Sequence, residues 1–294
     1  MPGKNGLLPP AAQAALDEYL AALDAALPGV ARGIYITGSA VLGDWQPGRS
    51  DLDILTVTEG TLGDAELATL DALHAGIPGR PYRDAIYIPA DDVGMRADTG
   101  TSAGAGRGRG TGAGTASDVR YPSAIDGVFQ QPARYRPDPV LWATLHRHGL
   151  TVRGPAASTL GTDPAEDWLL AWNQENLTAY WRPWAERVRG HLADHDADEP
   201  TPAGIVPWGA LGPGRLHATI TTGQIISKSA SADYTARLLP QYADLLARSK
   251  RHRSGDDGQV FTVADARDAC DLIDVVVEFA AGLRSRNGGV PGGR

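Results

Sequence analysis

The sequence predicts an α+β chain, with an N-terminal α/β domain on a small mixed sheet followed by a C-terminal all-helical bundle. Three observations carry that expectation. Short β-branched and aromatic runs alternate with helical patterns over residues 10–89. A Gly-, Ala- and Thr-rich stretch then follows, with little to bury (94–118). From Pro137 onward the long patterns have helical period.

The elements follow in order. PAAQAALDEYLAALDAAL (10–27) repeats apolar residues at helical spacing and stops at Pro28-Gly29. GIYIT (33–37) reads as a strand, and SAVLGDW (39–45) as a helical turn or two before the breaker PGRS (47–50). DLDILTVT (51–58) is a second strand, acidic at its start and apolar beyond. LGDAELATLDALHA (62–75) is helical, closed by Gly76 and Pro78, and RDAIYIP (83–89) is a third strand. The Gly-rich stretch has neither GxxxxGK[ST] nor GxGxxG between a strand and a helix, so it is expected to be a flexible insertion rather than a phosphate loop.

DPVLWATLHRHG (138–149) is expected to be helical and TVRGPA (151–156) to be a short strand at the crossing between domains. Residues 163–193 form one long amphipathic segment that Pro183 should kink or break. Helical segments at 211–223, 229–239, 241–252 and 262–285 complete the bundle. The last of these opens with Thr262 and Asp265 in capping-box spacing. The expected domains are 1–155 and 156–294.

Composition narrows the function. A single cysteine, Cys270, excludes an internal disulfide or a cysteine metal cluster. No apolar run is long enough to span a bilayer, and the N-terminus lacks the pattern of a signal peptide, so a cytoplasmic protein is expected. A net charge of −8 disfavours a nucleic-acid partner and would suit a cationic ligand, although moderate acidity also simply aids solubility.

The chemistry concentrates in Gly38-Ser39, eleven residues, then Asp51-Leu52-Asp53. Residues two apart in a strand share a face, so Asp51 and Asp53 would present two carboxylates side by side. Together they call for a cation, and Mg²⁺ suits carboxylates combined with nucleotide phosphates. Gly38 allows close backbone approach to a phosphate, and Ser39 can offer its hydroxyl and N–H. Asp84 opens the next strand and supplies a third carboxylate, as a metal ligand or as general base for an attacking hydroxyl. Asp-x-Asp alone is common on solvated strand edges. Its weight comes from the order strand, Gly-Ser, short helix, breaker, Asp-x-Asp, apolar strand.

With these residues in view, TGSAVLGDWQPGRSDLDILTV resembles the GS…DxD segment of the nucleotidyltransferase superfamily. It is similar in particular to the streptomycin/spectinomycin adenylyltransferases. HRHGLTVRGPA (146–156) and RLHATITTGQIISKSASADYTARLLPQY (215–242) extend the resemblance to the segment between that family's domains and to its helical domain.

The resemblance implies an enzyme that moves AMP from ATP, with Mg²⁺, to a hydroxyl of an aminoglycoside or aminocyclitol in a cleft between two domains, releasing pyrophosphate. Asp51 and Asp53 would bind Mg²⁺, and Gly38 and Ser39 the phosphates. Arg215 and Lys228 match positions that reach the phosphates, and Asp84 aligns with the family's catalytic glutamate. Where the family places a substrate-contacting tryptophan, this chain offers Asp126 or Phe129. Asn173 and Glu175 are further candidates for acceptor contacts, although polar residues on a long helix usually face solvent. The four tryptophans of 168–184 are read mainly as core. A monomer acting on a cationic small molecule, free of membrane and nucleic acid, is the expectation. Another hydroxyl acceptor and a catalytically silent nucleotide-binding protein are the alternatives.

Overall fold

The computed structural model describes residues 8–95 and 119–287, so most of the Gly-rich insertion expected at 94–118 lies outside the described residues. The chain is α+β and divides into two compact units, one ending at Pro164 and one beginning at Ala165. The segment after the last strand, including a single 3₁₀ turn at Ala157–Thr159, packs with the first unit.

The first unit opens with α1 (Pro10–Ala26), β1 (Ala31–Ile36), the short α2 (Gly38–Val41), β2 (Leu52–Thr58), α3 (Asp64–Gly76) and β3 (Arg83–Pro89). A two-stranded hairpin, β4 (Ala124–Ile125) and β5 (Val128–Phe129), is followed by α4 (Pro139–His148) and β6 (Leu150–Arg153). The four-stranded sheet has the order β3-β2-β1-β6. It is mixed: β2 and β3 run parallel, whereas β1 pairs antiparallel with both β2 and β6. The parallel pair follows from the crossover helix α3, and the antiparallel one from the short return through α2.

Period two assigns the faces. Ile34, Ile36, Leu52 and Ile54 are at most 1% exposed and join α1 residues Ala12, Leu16, Tyr19 and Leu23 in one apolar cluster. Each such aliphatic side chain contributes about 2 kcal/mol of transfer free energy. The same face holds a polar chain. The Tyr19 hydroxyl lies 2.9 Å from Thr56 Oγ1 and donates to the Tyr87 hydroxyl at 3.0 Å, while His74 Nε2 sits 2.8 Å from that Tyr87 oxygen. Burial pushes His74 down to about 4, so the ring is neutral at physiological pH.

The second unit is helical: α5 (Glu166–Asn176), α6 (Arg182–His191), α7 (Ile205–Leu211), α8 (Pro213–Thr222), α9 (Lys228–Leu238), α10 (Ala243–Arg253) and α11 (Val263–Asn287). Pro183 does interrupt the long amphipathic segment. It has no N–H for the Ala179 carbonyl, and the chain widens into a π turn at Leu177–Trp181 before continuing as α6. The reciprocal cap expected at α11 forms, with Thr262 N–H on Asp265 Oδ2 at 2.9 Å and Asp265 N–H on Thr262 Oγ1 at 3.3 Å. Trp168 and Trp181 are buried, and Trp184 packs against the bundle core around α11. Among the described residues, no helix is long and apolar enough to cross a membrane.

Candidate active site

The site grows from the turn that joins β1 to β2. Gly38 has φ +62, and a Cβ added there would lie 1.9 Å from Asp53 Oδ2. Only glycine lets the backbone sit against that carboxylate in the left-handed region. The Thr37 N–H donates to the Asp53 carbonyl at 2.9 Å, fixing the turn to the start of β2. The loop beyond is tied down at several points. Asp44 N–H donates to the Ser39 carbonyl at 3.0 Å, Gln46 N–H to Ser50 Oγ at 3.0 Å, and the Trp45 indole N–H to the Asp51 carbonyl at 3.0 Å. Asp51 is therefore held just ahead of the strand, which begins at Leu52 rather than at Asp51 itself.

β3 and the hairpin supply the other carboxylates. Parallel register sets Asp84 opposite Asp53. The turn of the hairpin is Asp126-Gly127, both at positive φ (+52 and +75), as a tight two-residue connection requires. Its Asp126 N–H donates to Asp84 Oδ1 at 2.9 Å. One carboxylate oxygen from each of Asp51, Asp84 and Asp126 lies within 4.8 Å of the others, the only such acidic group among the described residues. Asp84 is lifted to about 7, first by burial and then by the negative charges of Asp51, Asp53 and Asp126, against the pull of the Asp126 N–H. Hard, negatively charged oxygens crowded this closely fit a divalent cation such as Mg²⁺, which would relieve their repulsion.

The structure thus gathers Asp51, Asp53, Asp84, Asp126 and Gly38, with Ser39 next in the turn. Phe129, expected as an acceptor contact, is 7% exposed; its ring stacks on His74 at 5.8 Å and meets Tyr87 edge-on at 6.2 Å. It anchors the hairpin to the apolar face of the sheet.

The remaining candidates belong to the helical unit. Asn173 is 1% exposed, and its amide donates to the Leu169 carbonyl at 2.7 Å, so its polar group is used within α5. Glu175 is exposed and lines a hollow of about 300 Å³ with Gln174, Thr178 and Ala280. Arg215 lies in the first turn of α8 with its Nε buried, and Lys228 opens α9 with its ammonium 4.9 Å from the Trp208 ring.

Two contributors escaped sequence reasoning. Arg80 Nη1 donates to Asp51 Oδ1 at 2.8 Å, and its guanidinium lies over the Tyr82 ring at 4.5 Å. Trp45 carries the hydrogen bond that holds the Asp51 backbone. No spacing rule marks either one, because each reaches the site through a loop.

A sheet with a GS turn and converging aspartates fits a nucleotide-transferring enzyme. Residues 16–93 match the family model of the nucleotidyltransferase domain, so the chain carries such a domain and is an enzyme of that class. Among solved structures, the chain is similar to the spectinomycin adenyltransferase AAD(9) from Enterococcus faecialis, crystallised with ATP and spectinomycin. The TM-score is 0.62 at 15% identity, covering 90% of this chain and 99% of that one, and the likeness is one of fold. No curated protein matches the chain in sequence.

Proposed function

We propose that this enzyme transfers AMP from ATP to a hydroxyl of a cationic small molecule of the aminoglycoside or aminocyclitol type. The observation that carries the reading is the convergence of Asp51, Asp84 and Asp126 within 4.8 Å beside Asp53 and the Gly38 turn. Support for the acceptor class comes from the solved neighbour, a spectinomycin adenyltransferase with ATP and spectinomycin bound, and from the chain's net charge of −8.

In this reading Asp51 and Asp53 hold Mg²⁺, which when bound offsets charge on the nucleotide phosphates. Gly38 lets the turn sit against the Asp53 carboxylate, and Ser39 beside it donates to a phosphate. Asp84 takes the proton of the acceptor hydroxyl as that oxygen bonds to the α-phosphorus. The bond from the α-phosphorus to the bridging oxygen breaks, and pyrophosphate leaves with the electron pair. Asp126 keeps Asp84 oriented through its N–H. Arg215 and Lys228 bind phosphate oxygens, so alanine at either is expected to raise the KM for ATP more than it lowers kcat. Asp126 and the exposed Glu175 are the candidates for acceptor ammonium groups.

A second reading of Asp84, as a metal ligand, is favoured by its place in the three-carboxylate group. Asp84→Asn separates the two: a lost base slows turnover and spares divalent-ion binding, whereas a lost ligand weakens both. The test of the whole reading is pyrophosphate release from ATP and Mg²⁺ across a panel of aminoglycosides and aminocyclitols, with Asp53→Asn as the blank. Release above the blank with one compound supports the reading. Release only with an unrelated hydroxyl acceptor would remove the antibiotic and keep the enzyme class.

A further inference from the structure

Arg80 places a guanidinium against the acidic cluster at Asp51. Arg80 Nη1 lies 2.8 Å from Asp51 Oδ1, with 41% of the Arg80 side chain and 24% of the Asp51 side chain exposed. The guanidinium is steadied from two other directions, by the Tyr82 ring at 4.5 Å and by the Arg49 carbonyl at 3.3 Å. Tyr82 is itself locked in place, since its carbonyl accepts the Leu52 N–H at 2.8 Å at the start of β2. Arg80 is thus aimed at the carboxylate by the same strand ends that gather the aspartates.

We propose that Arg80 is the resident counter-cation of this site: it neutralises Asp51 in the metal-free enzyme and gives up that oxygen when a divalent ion enters. The inference rests on the reading of Asp51 as a metal ligand. A guanidinium stays charged at every relevant pH, so it cannot leave by losing its proton and must compete with the incoming ion. A half-exposed ion pair contributes little on its own and is readily exchanged. Its removal from Asp51 need not strand Arg80, because the Tyr82 face and the Arg49 carbonyl still hold it. Arg80 therefore acts through Asp51 as a positioning residue. It sets divalent-ion affinity and offsets the charge of Asp51 when no ion is bound.

The test is Mn²⁺ binding to the full nucleotide-free chain, followed by electron paramagnetic resonance of the free ion, alongside melting temperature with and without Mn²⁺. Arg80→Ala is expected to bind Mn²⁺ about three- to tenfold more tightly, because a competing charge some few ångströms away is removed. The same variant should melt lower than wild type without metal, and Mn²⁺ should raise its melting temperature by more. Arg80→Lys, which keeps the charge, should restore affinity close to wild type. A merely structural Arg80 would make the variant less stable with and without metal alike and would weaken binding. Unchanged or weaker Mn²⁺ affinity in Arg80→Ala, with Asp51→Asn losing the ion, overturns the proposal and leaves the metal reading standing. If wild type and Asp51→Asn do not differ in Mn²⁺ uptake, the metal reading falls and the role of Arg80 falls with it.

Discussion

At the scale of single residues, Gly38 and Gly43 make a matched pair. Both lie at positive φ (+62 and +68), but a Cβ at Gly38 meets the Asp53 carboxylate while one at Gly43 meets nothing within 4 Å. Alanine at either position should cost about 1–2 kcal/mol in urea unfolding for the left-handed backbone. Only Gly38→Ala should also displace Asp53, and we expect turnover to fall about 100-fold or more while Gly43→Ala stays active. Equal activities would detach Gly38 from the site.

His74 yields a prediction in pH at the same scale. Its folded pKa of about 4 lies below the ordinary value of 6.5, because burial disfavours the charged ring. Between those values the unfolded chain binds a proton that the folded chain refuses, so stability is present above pH 6.5 and is lost as pH falls toward 4. From pH 7 to pH 5 the loss attributable to His74 is about 2 kcal/mol. His74→Gln should lose that much less over the same interval in urea titrations. Parallel losses in the two proteins would assign the acid sensitivity to other groups.

At the scale of elements, the hairpin β4–β5 links the core to the site. Phe129 is its anchor on His74 and Tyr87, and Asp126 at its turn holds Asp84. Phe129→Ala should destabilise the first unit by about 3 kcal/mol through the cavity it leaves. It should also lower turnover under conditions where the protein remains folded, as Asp126 loses its fixed place. A variant that is less stable but fully active would show that the hairpin can move without consequence for catalysis. This element was not legible in the sequence: two strands of two residues carry no period, and the Asp-Gly turn signal stood without flanking alternation. Longer elements were legible. The strands at 52–58 and 83–89 are apolar runs between breakers, and the helix break at Pro183 follows from a missing N–H.

At the scale of the molecule, the two units have cores made from separate residues. One is built around Leu23, Ile34, Leu52 and Ile54, and the other around Trp181, Leu246, Leu272 and Val276. Two self-sufficient cores predict two cooperative transitions on heating. Ile54→Ala should lower one transition and Val276→Ala the other, by calorimetry. A single transition moved by both variants would mean that the units unfold together.

What the sequence by itself determined are the features set by neighbours along the chain. These are the mixed α/β order of the first unit, the helical second unit, the Gly-Ser turn and the Asp-x-Asp entering an apolar strand, since periodicity, breakers and turn chemistry are local. Tertiary structure alone decided which charges share a space. It brought Asp126 and Arg80 to Asp51 and Asp84, turned Phe129 into the core, and moved Asp84 to about 7. Those outcomes depend on strand order and on loops crossing the sheet ends. Coulomb interaction and desolvation respond to distance in space, which spacing along the chain does not encode.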